Sequence, residues 1–180
     1  MIETDRLLVI PLNAQELMLY VQANGKLERR LQLTDSGRTV SGTVKETMEA
    51  FTLPKMKRAK GDGFLFYTVW IVVEKRRRLI VGELGFKGEP GPKHEVEIGY
   101  GTLYSHRGNG FMTEAVGGIV SWSRKRTEIR SILAEVDETN LPSIRVMEKN
   151  AFRMFEKKRN MLWWRFDFIR EEVQDPERVI

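Results

Sequence analysis

The sequence predicts an α/β (or α+β) domain with a mixed, mostly antiparallel sheet of about seven strands and flanking helices. Three observations lead to this prediction. Strand-like and helix-like segments follow one another in the order β, α, α, β, β, β, α, β, α, β, β. Residues 94–116 place a strand, a glycine turn and a helix in direct succession. A strand–helix–strand crossover follows that turn, whereas strands of hairpin type precede it.

Local residue patterns define the elements of the N-terminal half. Pro11 ends the first strand because it cannot donate to a ladder, and Asn13 is a suitable N-cap for the helix that follows. Pro54 is expected to kink the second helix or to end it early. Aromatic and β-branched residues fill 64–73, which predicts one long strand. The predicted strands are residues 4–11, 64–73, 79–86 and 95–102, and the predicted helices are residues 14–23 and 44–57.

The C-terminal half continues the alternation. Gly117-Gly118 lies inside a predicted helix and costs roughly 1 kcal/mol per glycine relative to alanine, which indicates close backbone packing, here against the sheet. Asn140 and Pro142 are typical of a helix start. The predicted elements are helix 109–125, strand 131–136, a helix from residue 140, and a hairpin of residues 151–159 and 161–169. We predict a single domain over 1–170 and a charged tail over 171–180.

Composition limits the classes of function. The chain carries 30 basic and 25 acidic residues and no cysteine, which excludes disulfides, thiolate metal sites and cysteine nucleophiles. No apolar run approaches the roughly 20 residues that span a bilayer, and the N-terminus does not resemble a signal peptide. The basic clusters fall at expected turns and element ends, so we interpret them as solvated edges. These observations predict a cytoplasmic protein that binds neither nucleic acid nor membrane.

Arg107-Gly108-Asn109-Gly110 is the segment around which the chain is organised. Glycine tolerates positive φ, so the chain can turn sharply there and expose successive main-chain N–H groups beside a helix N-terminus. Such an arrangement is suited to a phosphate or pyrophosphate. A P-loop fits poorly because Phe111-Met112-Thr113 follows where Lys-Ser/Thr is required. A dinucleotide fingerprint fits poorly because its third glycine is missing.

Four segments in order resemble the GNAT acyltransferase superfamily, and within it the branch of ribosomal-protein N-terminal acetyltransferases (RimJ/RimL-like). The opening residues 4–12 are similar to "TERLxLRPL", and Ile98-Gly99-Tyr100 is similar to "IGY". Residues 107–115 are similar to "RGxGYxTEA", and residues 138–152 to "xxNxxSxxxxEKxGF". The resemblance covers most of the chain and implies a GNAT fold.

The resemblance also implies acetyl-CoA as the acyl donor. The CoA pyrophosphate would bind the N–H groups of the turn, and Arg107 would anchor the phosphates or the turn itself. Thr102 stands where the family makes a main-chain contact, and the amide-rich pantetheine arm would pair with the open edge of strand 95–102. Asn140 would bind the pantetheine, cap its helix, or do both. The implied CoA-binding residues are Thr102, Arg107, Gly108, Asn109, Gly110, Phe111, Met112 and Asn140.

Direct acetyl transfer to an amine requires a base, because only the neutral amine attacks, and a proton for the departing thiolate. Glu97 is the candidate base, with Glu95 as the alternate on the same strand face. Ser143 matches the serine of the family pattern; its hydroxyl either serves the sulfur or satisfies first-turn helix donors. The thioester carbonyl would lie near residues 98–101, where a main-chain N–H could stabilise the oxyanion. No metal is expected.

The chain departs from the branch pattern beside the thioester. Gly101-Thr102 replaces the usual "WL", Met112 fills a usually small position, and Ala151 replaces a glycine. These departures leave the acceptor open among a protein N-terminus, an amino sugar or antibiotic, a polyamine and an amino acid. The alternative function is a catalytically silent CoA-binding sensor or protein-interaction module. The sequence also leaves open whether the chain forms a homodimer.

Overall fold

The computed structural model describes residues 1–35 and 37–169, so the tail expected at 171–180 lies outside the described residues. Within this part, eight strands form one sheet. The strands are β1 Ile2–Glu3, β2 Leu7–Pro11, β3 Trp70–Glu74, β4 Leu79–Phe86, β5 Glu95–Thr102, β6 Ser131–Asp137, β7 Arg153–Lys158 and β8 Met161–Asp167. The helices are α1 Ala14–Gln22, α2 Lys26–Arg30, α3 Gly42–Thr47, α4 Leu53–Arg58, α5 Phe111–Arg124 and α6 Leu141–Lys149.

The sheet has the order β1-β2-β3-β4-β5-β6-β8-β7 and confirms the mixed, mostly antiparallel GNAT arrangement. Among these neighbours only β5 and β6 run parallel, as the crossover through α5 requires. The additional strand relative to the predicted seven is the short β1, which pairs antiparallel with β2. The terminal hairpin forms as predicted, with β7 antiparallel to β8.

Two apolar clusters cover the two faces of the sheet. One joins α5 and α6 to inward residues of β2 through β8, with Trp70, Ile119 and Met147 fully buried. The other packs α1, α2 and α4 on the opposite face, against Ile71 and its neighbours in β3 and β4. Helices therefore cover that second face only over the N-terminal strands. The face opposite α5 keeps polar residues of β5 and β6 accessible.

The glycine pair in α5 packs as expected for a close approach, with Gly118 against the sheet at β1 and Gly117 against the end of α6. A Cβ on Gly118 would lie 3.2 Å from Ile2 and Thr4, and one on Gly117 would lie 3.1 Å from Asn150 Oδ1. The pair thus lets the N-terminal segment and the end of α6 lie against α5. Asn150 strengthens this contact because its Nδ2 donates to the carbonyl of Thr113 at 3.1 Å.

The predicted strand at 64–73 is wrong in its first half. Gly61–Phe66 forms a 3-10 helix, and the strand begins only at Trp70. The apolar side chains of this segment satisfy a different requirement, since Leu65 and Phe66 are buried in the core. Trp70 Nε1 donates to the carbonyl of Leu65 at 2.9 Å and fixes the turn in place. Burial therefore overrides the strand preference of this segment.

Pro54 does not end its helix. The helical path continues from Gly42 to Arg58, and residues Met48–Thr52 adopt a π-helical turn before α4. Proline lacks an N–H and crowds the preceding turn, and a wider turn there accommodates both effects. Pro54 occupies the first turn of α4, a position that proline tolerates. The segment at 26–41, which shows no clear sequence pattern, contains the short helix α2.

No helix in residues 1–35 and 37–169 is long and apolar enough to cross a membrane.

Candidate functional site

β5 and β6 separate in the middle of the sheet. Their parallel pairing covers Glu95 with Ser131 through Glu97 with Leu133, and it ends there. Beyond this point β5 continues to Thr102 while paired only with β4, and β6 continues to Asp137 while paired with β8. The edge of residues 98–102 that faces β6 therefore has no strand partner. An open strand edge of this kind can accept an extended, amide-bearing ligand.

The glycine turn lies beyond the end of β5 and leads directly into α5. Gly108 and Gly110 have φ values of 78° and 74°, so both use the left-handed region that favours glycine. Within the described residues, the main-chain N–H groups of 108–112 have no protein acceptor. These donors stand in the exposed turn and the first helical positions, where the dipole of α5 adds positive potential. The turn can thus cradle an anion such as a diphosphate.

The side chains that the sequence implies in CoA binding differ in their contacts and in their direction relative to the turn. Asn109 Nδ2 donates to the carbonyls of His106 and Arg107 at 3.1 Å, so this side chain shapes the turn. Arg107 Nε donates to the carbonyl of Thr102 at 3.4 Å, and its guanidinium carbon lies 5.2 Å from the centre of the Tyr104 ring. Met112 is buried beside Gly82, so its long side chain points away from the turn. Only its N–H belongs to the cradle.

Glu114 is held by the N-terminal segment. Its Oε2 accepts from Arg6 Nε at 2.6 Å, and its Oε1 accepts from the Arg6 main chain at 2.7 Å and from Thr4 Oγ1 at 2.6 Å. Burial alone would raise the pKa of Glu114, but these hydrogen bonds and the charge of Arg6 outweigh it and lower the pKa. Arg6 also donates to the carbonyl of Asn109 at 3.1 Å. The carboxylate beside the cradle therefore stays ionised, and its negative charge is balanced by Arg6.

The two candidate bases lie on the face of β5 opposite α5. Glu97 is at the last paired position, where β5 and β6 part, whereas Glu95 lies two residues earlier within the paired segment. Glu97 forms an ion pair with Lys87, whose ammonium also lies 3.8 Å from Glu135. Glu95 forms an ion pair with Arg165 at 2.9 Å. Both carboxylates are partly buried and each is engaged by a cation.

Tyr100 connects β5 to α6 across the gap between the two strands. Its hydroxyl donates to the main-chain carbonyl of Ser143 at 3.1 Å. Burial raises the pKa of Tyr100 to about 12, although the hydrogen bond to Ser143 acts in the opposite direction. The hydroxyl therefore stays protonated as a donor. The sequence pointed to Tyr100 only as part of the "IGY" segment, and its role as a bridge was missed.

Ser143 and Asn140 lie together in the first turn of α6. Asn140 Oδ1 accepts from the Ser143 N–H at 3.2 Å, which confirms the predicted N-cap. The Ser143 hydroxyl has no protein partner within the described residues. Because the Tyr100 contact brings Ser143 to the edge of the cleft, this hydroxyl is free to serve a ligand there.

Glu83 is a further carboxylate that the sequence analysis did not single out. It lies on β4 directly across from Gly101 and lines a groove of about 350 Å³ on the face opposite α5. Burial raises the pKa of Glu83. A signal existed in the alternation of β4, which puts Glu83, Gly85 and Lys87 on one face.

The two histidines of the chain lie at turns, and the adjacent tryptophans of β8 lie on opposite faces of the sheet. His94 is exposed and contacts the carbonyl of Glu128 through Nδ1 at 3.2 Å, and His106 belongs to a 3-10 turn. Trp164 is buried in the core, whereas Trp163 lies on the other face of β8. Over residues 1–35 and 37–169, no group of three or more His, Cys, Asp or Glu side chains could hold a metal ion.

Comparison with known proteins supports the same architecture. A family profile described as "Acetyltransferase (GNAT) domain" matches residues 6–153. The uncharacterized N-acetyltransferase YjdG of Bacillus subtilis (strain 168) is 33% identical over 105 residues, which cover 58% of this chain and 62% of that protein.

Two solved structures share the fold. The ribosomal-protein-S5-alanine acetyltransferase from Vibrio fischeri has a TM-score of 0.65 and 18% identity, covering 92% of this chain and 94% of that chain. The RimL ribosomal L7/L12 alpha-N-protein acetyltransferase in complex with coenzyme A has a TM-score of 0.63 and 15% identity, covering 91% and 95%. With the parted strands, the glycine turn and the family match over most of its length, this chain belongs to the GNAT family of acetyltransferases.

Proposed function

We propose that this chain is an acetyl-CoA-dependent N-acetyltransferase of the RimJ/RimL-like branch, which moves an acetyl group directly to a primary amine. The observation that carries the proposal is the row of unpaired N–H groups at 108–112, beside a strand edge that opens after Glu97. These are the two features that a diphosphate and an amide-rich arm require. The domain extends over residues 1–170, and the protein is cytoplasmic.

The protein residues divide the binding task along the cleft. The N–H groups of Gly108 through Met112 hold the diphosphate, while Arg107 and Asn109 stabilise the turn. Arg6 cancels the charge of Glu114, which would otherwise repel a bound phosphate. The open edge from residue 98 to Thr102 pairs with the pantetheine amides, and Asn140 keeps α6 in position beside them.

Acetyl-CoA supplies an activated thioester carbonyl, and the chain supplies the proton transfers around it. Glu97 takes a proton from the acceptor amine at the point where β5 and β6 part, directly or through water. A main-chain N–H of residues 98–101 stabilises the oxyanion. The Ser143 hydroxyl donates to the sulfur, and Tyr100 fixes the Ser143 main chain by its hydrogen bond. The acceptor is a protein N-terminus or a small amine.

Turnover of a panel of amines tests this proposal. Because the chain has no cysteine, release of the CoA thiol can be followed with a thiol reagent without protein background. Wild type should acetylate at least one primary amine, and Glu97→Gln should lower kcat by about 10²-fold with little change in the affinity for acetyl-CoA. Ser143→Ala should lower kcat as well. Glu156→Gln, an exposed carboxylate paired with Lys158 on β7, is the matched control and should retain wild-type turnover.

The alternative is a catalytically silent CoA-binding sensor or interaction module. It requires tight binding of acetyl-CoA in calorimetry together with no acetylated product from peptides, amino sugars, polyamines or amino acids. Failure of both binding and turnover would contradict the CoA-dependent function in either form. Oligomeric state, including a homodimer, is measured in the same preparations by light scattering.

A further inference from the structure

The groove beside Glu83 has two glycines on its floor that the fold itself does not require. Gly99 and Gly101 lie on β5 with no positive φ, so their backbone is open to any residue. A Cβ on either would meet no atom within 4 Å. Glycine in a strand interior loses stability relative to residues with a side chain. The empty space above these two positions therefore points to a ligand that lies there.

Neighbouring glycines in β4 provide the contrast. A Cβ on Gly82 would lie 2.6 Å from the carbonyl oxygen of Gly101, and one on Gly85 would lie 3.0 Å from the carbonyl oxygen of Thr68. Close packing explains both of these glycines. It does not explain Gly99 and Gly101, although all four residues belong to the same pair of strands.

Carboxylates lie beside this groove and within its lining. At one end Lys87 lines the groove, and its single ammonium is shared by Glu97 and Glu135, which lie beside the groove and are not among its lining residues, so these three side chains together carry one net negative charge. At the other end, the carboxylate of Glu83 has neither an ion pair nor a hydrogen bond with any other described residue. Gly101, the partner of Glu83, lies four positions after Glu97 on β5, which is roughly 13 Å along a strand at about 3.3 Å per residue.

We propose that this groove is the acceptor subsite and that it selects a slender acceptor with two cationic groups, one reacting near Glu97 and the other paired with Glu83. This inference rests on the proposed acetyltransferase function and adds the chemical class of the acceptor. The reacting nitrogen lies where β5 and β6 part, beside the thioester. The unbranched chain of the acceptor runs over Gly99 and Gly101, where a side chain would block it. The second cation of the acceptor pairs with Glu83, so this partly buried carboxylate gains a charged partner.

Calorimetric titration of the CoA-loaded protein tests the inference without turnover, because CoA lacks the acetyl group. The probes are 1,8-diaminooctane and octylamine, which differ in the second cation. Wild type should bind the diamine at least about tenfold more tightly, as expected for one charge-assisted pair. Glu83→Gln should remove this preference and leave the Kd for CoA unchanged. Glu156→Gln, at a carboxylate on β7 that is paired with Lys158 and lies outside the groove lining, is the control and should retain the preference.

Blocking the groove gives a second, independent test. Gly101→Leu should weaken diamine binding at least about tenfold, since its side chain fills the space that the ligand uses. Gly91→Leu places the same side chain in open space in a loop and should not affect diamine binding. In the acetylation assay, Glu83→Gln should raise KM for a diamine with kcat little changed, whereas Glu97→Gln should lower kcat.

Equal affinity of wild type for diamine and monoamine, or unchanged diamine binding in Glu83→Gln and Gly101→Leu, would overturn the inference. Failure to bind either probe would overturn it as well. Those results leave the acetyltransferase proposal standing if any primary amine is acetylated. Loss of turnover on the complete amine panel, in contrast, contradicts the proposed function even where the diamine binds.

Discussion

Arg6 and Glu114, 108 residues apart in the chain, meet at the base of the glycine turn with Nε and Oε2 separated by 2.6 Å. The same guanidinium donates to the carbonyl of Asn109 and lies 5.0 Å above the ring of Phe111. One side chain therefore neutralises the helix-terminal carboxylate and braces the anion cradle. The N-terminal and central motifs of the sequence are parts of one structural unit.

Replacing Arg6 should weaken acetyl-CoA binding. Arg6→Met keeps an apolar stem over Phe111 but leaves Glu114 as an unbalanced charge beside the diphosphate. We expect the Kd for acetyl-CoA to rise about tenfold, or about 1.4 kcal/mol, in calorimetry. Arg30→Met, which removes a surface partner of Glu16 on α1, is the control and should leave the Kd unchanged. An unaltered Kd in Arg6→Met would show that the brace does not serve ligand binding.

Glu114 should also make the fold sensitive to acid. Its pKa in the folded state lies below the ordinary value of a glutamate, because hydrogen bonds and the charge of Arg6 outweigh burial. A carboxyl group of this kind stabilises the fold fully above its unfolded pKa, and the contribution is lost as pH falls through the folded pKa. Glu114→Gln should lower the urea midpoint at neutral pH, and the difference from wild type should shrink in acid. A constant difference at all pH values would contradict the assignment.

The ionised carboxylate of Glu83 should lower the stability of the fold, whereas that of Glu114 raises it. Burial raises the pKa of Glu83 above the ordinary value of a glutamate, so the folded state holds its proton more tightly than the unfolded chain. At neutral pH the charged carboxylate therefore reduces stability, and below the unfolded pKa the effect disappears. Glu83→Gln should raise Tm at neutral pH, and its advantage should vanish in acid. Thermal unfolding followed by circular dichroism measures both; a lower Tm at neutral pH would argue that the carboxylate is structural.

Tyr100→Phe should loosen α6. The variant loses the hydrogen bond to the Ser143 carbonyl and keeps the ring, so we expect a loss of about 0.5–1.5 kcal/mol in the free energy of unfolding. Amide hydrogen exchange in α6 should accelerate, and KM for acetyl-CoA should rise. Tyr67→Phe, at a hydroxyl near Glu89, is a matched control and should leave exchange in α6 unchanged. A large fall in kcat with normal stability would instead assign Tyr100 to proton transfer.

Ala151→Gly should stabilise the protein. Ala151 has a φ of 60° and ends α6 in a Schellman arrangement, with its own N–H donating to Glu148 and that of Phe152 to Met147. The left-handed region is unfavourable for alanine, so glycine should add about 1 kcal/mol to the free energy of unfolding. Ala50→Gly, at an exposed position in the helical segment of residues 42–58, should lower the free energy of unfolding by about 1 kcal/mol. The two urea midpoints should therefore move in opposite directions.

Local patterns predicted much of this fold because their physical causes are local. Asn13 and Asn140 are N-caps, and β4 and β5 have the predicted bounds, since capping and strand alternation depend on near neighbours. The segment Gly61–Phe66 was misassigned because the burial of its aromatic residues depends on Trp70 and the distant core. Pro54 was expected to kink its helix or to end it early; the helix does not end there, and the π-helical turn at Met48–Thr52 was not anticipated from the sequence.

In the candidate site, too, local features could be predicted from the sequence and contacts between distant segments could not. The glycine turn was visible because its conformation follows from glycine itself. Its brace through Arg6 was not, since that contact joins two motifs whose proximity only the sheet creates. The partners of Glu97 and Glu95, which are Lys87 and Arg165, depend on strand register and could not be read from the chain. Gly101 was seen as a departure from the family pattern, but the space above it required the structure.

The three residue pairs that join β5 to β6 are also the strand-to-strand link between two halves of the sheet. A ligand whose amides bridge the gap would extend this link between β5 and β6. Binding of the ligand should therefore hold the two halves of the sheet together more firmly. The protein with the acyl donor bound should therefore be more rigid than the protein without it.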